Sequence, residues 1–130
     1  MLIYHYSDKN FSGYVNPDFF GSNSYSNNSA RLSGIKRSYF YANKDNKEYY
    51  FNGCQFLYIA EVNKERLYNL NEDKESIVKN LRNTQDIYTE VKKRGYIGLI
   101  GDNGYPCAVL FKTVRIHKKE VLQKALYEIS

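Results

Sequence analysis

The stretch from Gln55 to Val62, centred on Phe56-Leu57-Tyr58-Ile59-Ala60, is nearly all apolar. A run this short and this continuous reads as a central β-strand, buried on both faces. It is one strand among several. Leu2, Tyr4 and Tyr6 alternate with Ile3, His5 and Ser7 over residues 2–7, the period of an extended chain. Further strands are expected over 36–42, at Tyr96 to Ile100 and at Cys107 to Ile116. The turn Gly101-Asp102-Asn103-Gly104 lies between those last two, and Asn-Gly between apolar runs marks a hairpin. Helical periodicity is expected over Lys44 to Phe51, over Glu72 to Leu81 and over Thr84 to Arg94, and again from Lys119 to Ile129. Thr84 is the expected N-cap of the third of these and Gly95 its stop. The elements come as strand, loop-rich segment, strand, helix, strand, two helices, two strands, helix. That order lacks the regular beat of a parallel βαβ fold and predicts an α+β chain with a mostly antiparallel sheet.

The chain has 130 residues, enough for one domain, read here as 1–130. Hydrophobic residues make up 42% and charged residues 25%, proportions of a folded soluble protein. No apolar run approaches the roughly 20 residues a membrane helix needs. Met1-Leu2-Ile3-Tyr4-His5 has neither a basic n-region nor a long apolar core, so no signal peptide is expected and the cytoplasm is the expected compartment. Two cysteines, Cys54 and Cys107, are too few for a disulfide framework or a thiolate metal site, and free buried thiols are expected. The two histidines, His5 and His117, are far apart without close acids, so no metal is expected. A Cys-His hydrolase would lack any local signature. The net charge of +5 favours an anionic partner, but the cations are scattered along the sequence.

Residues 8–34 hold an unusual density of turn signals, among them Asn16-Pro17-Asp18, with a short helix possible over Asp18 to Gly21. Long irregular stretches in small domains usually carry function. Four motifs give this arrangement meaning in combination. They are the opening Leu2-Ile3-Tyr4-His5-Tyr6-Ser7, the turn Asn16-Pro17-Asp18-Phe19-Phe20-Gly21, the strand Arg37-Ser38-Tyr39-Phe40-Tyr41, and Lys92-Lys93-Arg94-Gly95-Tyr96-Ile97-Gly98. In their order and spacing they resemble the ADP-ribosyltransferase superfamily, in particular its small phage-type members found in polyvalent and anti-defence proteins. The resemblance implies a mostly antiparallel split sheet with flanking short helices. It also implies NAD as co-substrate, a macromolecular acceptor (protein or nucleic acid), and a phage or mobile-element origin.

By resemblance, His5 would hydrogen-bond the adenosine ribose, Ser7 would hold a ribose hydroxyl, and Tyr39 would stack on nicotinamide. Tyr6 replaces a small residue common in relatives. Its backbone would still meet the nicotinamide amide, provided the ring points away. The superfamily's acidic residue near a late strand is missing from Tyr105-Pro106-Cys107-Ala108-Val109-Leu110-Phe111. Asp102 is the nearest candidate, with Asp86 and Glu90 as fallbacks. Each residue also has a plain structural alternative. His5 and Tyr39 would be packing groups, Asp102 a turn residue, and Arg37 either a phosphate clamp or a side chain on the strand's exposed face. His5 and Tyr39 are expected on one face of a single sheet.

Overall fold

The computed structural model describes residues 1–19, 34–42, 54–101 and 107–122. The expected helix over Lys44 to Phe51, the hairpin turn with Asp102 and most of the expected C-terminal helix lie outside these residues. The described elements are β1 (Leu2–Ser7), β2 (Tyr14–Val15), β3 (Ser38–Tyr41), β4 (Phe56–Glu61), β5 (Leu67–Asn69), α1 (Ile77–Asn80), α2 (Thr84–Lys93), β6 (Gly98–Ile100), β7 (Cys107–Leu110) and β8 (Val114–Val121). The fold is α+β. The strands form one eight-stranded sheet in the order β2-β8-β4-β1-β3-β7-β6-β5, antiparallel except for the parallel pair β5–β6.

The sheet is not flat. β7 and β8 are four strand positions apart, about 19 Å in a flat sheet at the usual strand spacing. Yet only Phe111 to Thr113 connect them, and that link spans at most about 14 Å when fully extended. The sheet must therefore curl and bring its ends together. Side chains from β1, β3, β4, β5, β6, β7 and β8 duly share one buried cluster on the inner face, including Ile3, Phe40, Tyr58, Leu67, Leu110 and Val114. The outer face is covered in two patches. α1 and α2 pack Ile77 and Val91 against Leu99 and Val109, and a separate cluster gathers Tyr6, Cys54, Leu57 and Ile59.

Pairing strength divides the sheet in two. β1 and β4 share six registered pairs, and β3 and β7 share four. Between these halves β1 and β3 share, among the described residues, a single registered pair, Tyr4↔Tyr41. Among the described residues, the seam between β1 and β3 thus carries the fewest registered pairs of any join in the sheet.

Several expectations change here. Cys107 to Ile116 is two strands rather than one. The chain must leave the β3 side of the sheet and reach the β4 side, and period-2 patterning carries no sign of that crossing. β8 then runs on to Val121, taking the first residues expected to be helical. The helix expected over Glu72 to Leu81 shrinks to Ile77–Asn80. Its first half is a loop folded on Asp73, whose carboxylate accepts the N–H groups of Val78 (3.1 Å) and Lys79 (3.0 Å) and the hydroxyl of Tyr68. Asp73 and Ser76 there adopt positive φ, which is costly outside glycine. Burial raises the Asp73 pKa, but the bonds from Tyr68 and the backbone N–H groups outweigh it and hold the carboxyl below its usual range. The N-cap of α2 is Asn83, whose side chain accepts from Gln85 and Asp86, rather than Thr84. Gly95 stops the helix at φ +94, as expected.

Gly98 lies where β6 and β7 approach too closely for a side chain. A Cβ there would lie 2.1 Å from the Val109 carbonyl oxygen. Gly98→Ala is expected to force β6 off β7 and cost about 1–3 kcal/mol, read as a lower urea midpoint at unchanged slope.

Candidate functional site

His5 points to the inner face of the sheet. Its ring lies 5.3 Å from Phe40, 6.3 Å from Tyr58 and 6.4 Å from Phe11. Its Nδ1 is 2.7 Å from the Tyr39 carbonyl oxygen, across the seam. A carbonyl can only accept, so Nδ1 carries the hydrogen. In the neutral ring Nε2 is then left as an acceptor. The residue is half-buried, and the aromatic surroundings disfavour the imidazolium. Burial lowers the pKa, and the bond to Tyr39 only partly offsets that.

A folded pKa below the unfolded one means that stability is complete above the unfolded value of about 6.5 and is lost as pH falls from there through the lowered folded value. The urea midpoint is expected to drop between about pH 7 and pH 5, and His5→Gln is expected to flatten that drop. Asp73 and Glu75, whose pKa values are also lowered, titrate in a separate and more acidic window.

Around His5 the packing is aromatic and is tied by one hydroxyl. Phe11 stacks on Tyr58 at 4.0 Å. The Tyr58 hydroxyl donates to the Lys9 carbonyl (2.8 Å) and accepts the Phe11 N–H (3.0 Å). This hydroxyl pins the segment that follows β1 over the His5 ring. A tyrosine inside an otherwise apolar central strand is the sequence signal for it, since a buried hydroxyl needs partners.

Tyr39 does not share a face with His5. Neighbouring residues of a strand point to opposite sides. Phe40 takes the inner face with His5, so Tyr39 faces outward and packs with Tyr88, Ile35 and Val109. There it meets Arg37, which is only 3% exposed and so does not lie on an exposed face. Arg37 Nε donates to the Tyr39 hydroxyl (2.7 Å) and Nη1 to the Ile35 carbonyl (2.7 Å). Its guanidinium carbon lies 5.6 Å from the Tyr39 ring centre and 5.5 Å from that of Tyr88. α2 turns Gln85 and Tyr88 toward this cluster, with Gln85 Oε1 accepting the Ile35 N–H at 3.2 Å. Glu90 instead binds Arg94 at 3.0 Å, and Asp86 is exposed. Neither fallback acid is directed at β3, and Asp102 lies outside the described residues.

Ser7 is buried and its hydroxyl accepts the Lys9 N–H at 3.0 Å, closing the turn after β1. Tyr6 points away from His5, onto the outer face beside Tyr41, as a bulky residue at that position requires. The structure therefore brings His5 and the Tyr39 backbone together across the seam and places the Arg37–Tyr39–Tyr88 cluster immediately behind it.

A concavity of about 980 Å³ opens at the other end of β1, lined among others by Glu61, Asn63, Leu67, Tyr68 and Tyr96. It contains none of the seam residues. Its walls mix acids, lysines and apolar groups without a converging set of donors, so volume alone does not make it the site. Cys54 is buried and is not in a disulfide among the described residues. Among the described residues no three His, Cys, Asp or Glu side chains gather as metal ligands, and no helix is long and apolar enough to cross a membrane.

No family model, no curated protein and no solved structure matches the chain.

Proposed function

We propose that this chain is a NAD-dependent mono-ADP-ribosyltransferase acting on a macromolecular acceptor, with NAD held at the β1–β3 seam. The observation that carries the reading is the His5 Nδ1–H bond to the Tyr39 carbonyl, made across the strand pair that has one registered pair among the described residues. It fixes the tautomer so that Nε2 can accept a ribose hydroxyl. Arg37 and Tyr39 lie on the opposite face of the sheet from the His5 ring, so one NAD reaches both sides only by entering between β1 and β3 where their pairing ends. The Tyr39 ring already attracts one flat cation, the guanidinium of Arg37, and the pyridinium of NAD is another. Moving Arg37 onto the pyrophosphate would free the ring for nicotinamide. Ser7 and the Tyr6 backbone would complete the ribose and amide contacts.

In the reaction the bond between ribose C1′ and the nicotinamide nitrogen breaks, and its electron pair leaves with neutral nicotinamide. The sugar passes through an oxocarbenium-like state. The acceptor's nucleophile bonds to C1′ and releases its proton to solvent. Asp102 is the proposed carboxylate that steadies the cation.

A second reading has its own support. Tyr39 is engaged through both its hydroxyl and its ring by Arg37, an arrangement equally suited to a catalytically inactive module that binds NAD, a nucleotide, nucleic acid or a protein. Incubation with nicotinamide-labelled and adenine-labelled NAD, with and without cell lysate, separates the two. The transferase releases nicotinamide and moves the adenine label onto lysate polymer. Binding of NAD without either event identifies the inactive module.

A further inference from the structure

Scattered in sequence, part of the positive charge gathers in space along one edge of the sheet. β8 carries Arg115, Lys118 and Lys119 against a single acid, Glu120, whose carboxylate lies 3.5 Å from the Lys118 Nζ and leaves the edge with a net positive charge. β2 pairs with β8 only at Val114 and Arg115, and Ile116 N–H bonds Gly13. From His117 onward no described strand covers the outer edge. The register slips between Ile59 and Ala60, so that Ala60 faces Ile116 and Ile59 faces Lys118. His117 is the extra residue of this bulge. Without the bulge Lys118 would share the inner face with Ile116. With it, Lys118 joins Arg115 on the outer face and Lys119 reaches over the inner rim.

Lys119 is held in place there. Its ammonium lies 5.0 Å from the Phe56 ring centre and 5.6 Å from that of Tyr58, and it bonds the Asn10 side chain and the Phe11 carbonyl. That anchors the segment carrying exposed Lys9 beside it. Tyr14, directly across from Arg115, is 56% exposed. A solvated edge that merely repels other strands needs lysines. It does not need a large exposed ring next to an arginine.

We propose that this edge docks single-stranded nucleic acid, its phosphates crossing the open edge from Arg115 and Lys118 on the outer face to Lys119 at the inner rim, with a base stacking on Tyr14. Cations tracking a backbone beside a stacking ring are how such strands are held without sequence preference. The surface borders the rim above His5 but does not depend on NAD binding.

The test is fluorescence anisotropy of the whole chain with an oligothymidine of about 12 nucleotides, in the absence of NAD. Three phosphate contacts predict a log–log salt slope near −2. Arg115→Gln/Lys118→Gln should weaken binding about tenfold and flatten the slope by about 1.4. Tyr14→Ala should weaken binding about tenfold with the slope unchanged. The charge-matched pair Lys92→Gln/Lys93→Gln, exposed on α2, should leave affinity within about twofold. Circular dichroism of each variant confirms that it is folded. Equal weakening by both lysine-containing pairs, a flat salt dependence, equal affinity for the matching duplex, or no effect of Tyr14→Ala would each overturn the proposal. Since the assay contains no NAD, a negative result leaves the transferase reading intact, and a transferase that modifies only protein leaves this result intact.

Discussion

Tyr58→Ala is expected to cost about 3–5 kcal/mol, the range for emptying a buried aromatic site, out of a total that for small domains is about 5–15 kcal/mol. The ring is fully buried between the inner core and the stacked Phe11. Tyr58→Phe isolates the hydroxyl. It keeps the ring but leaves the Phe11 N–H and the Lys9 carbonyl without their partner, at about 1–3 kcal/mol. Urea unfolding gives both values. Amide hydrogen exchange adds a local reading, because Phe11 should lose protection in Tyr58→Phe while Leu57 and Ala60 in β4 keep theirs. A Tyr58→Phe variant as stable as wild type, with Phe11 still protected, would mean that the hydroxyl does not hold this segment.

The second large effect concerns turnover. His5→Ala removes the donor that spans the seam and the acceptor offered to ribose. Removing one positioned hydrogen-bonding group from a transition-state site typically costs 10²–10³ in rate, and nicotinamide release should fall by about a hundredfold or more. His5→Gln can restore one of the two bonds but not the ring contacts with Phe40 and Tyr58, and should recover a minor part of the rate. Tyr39→Phe keeps the ring for stacking while freeing Arg37 Nε from its hydroxyl partner. It is therefore expected to retain most activity, whereas Tyr39→Ala is not. If His5→Ala turned over at the wild-type rate, the seam would not be where NAD reacts.

Much of the strand content was legible because burial leaves a direct mark on sequence. β1 alternates, and β4 is nearly all apolar because it lies inside the sheet between β1 and β8. The antiparallel character also followed from the irregular element order. What could not be read was anything set by partners distant in sequence. Tyr39 and Phe40 are both aromatic, and only the curl of the sheet and the presence of α2 decide which of them joins His5. The loop at Asp73 and the short α1 reflect hydrogen bonds from Tyr68, which override a usable helical period. Asn83 and Thr84 are both competent N-caps, and a one-residue difference in where the helix begins chose between them. His5, Ser7 and Arg37 stood out as polar groups in apolar strands. The residues that hold them in place, Tyr58, Phe11 and Tyr88, looked like ordinary packing.

The most direct measurement is an amide and aromatic chemical-shift titration of the folded chain with NAD. Binding at the seam should move the signals of His5, Ser7, Arg37 and Tyr39 together and saturably, and the His5 ring should stay in the Nδ1–H tautomer. Shifts confined to Glu61, Asn63, Tyr68 and Tyr96, at the concavity on the other end of β1, or no saturable shifts at all, would contradict a nicotinamide-dinucleotide site between β1 and β3.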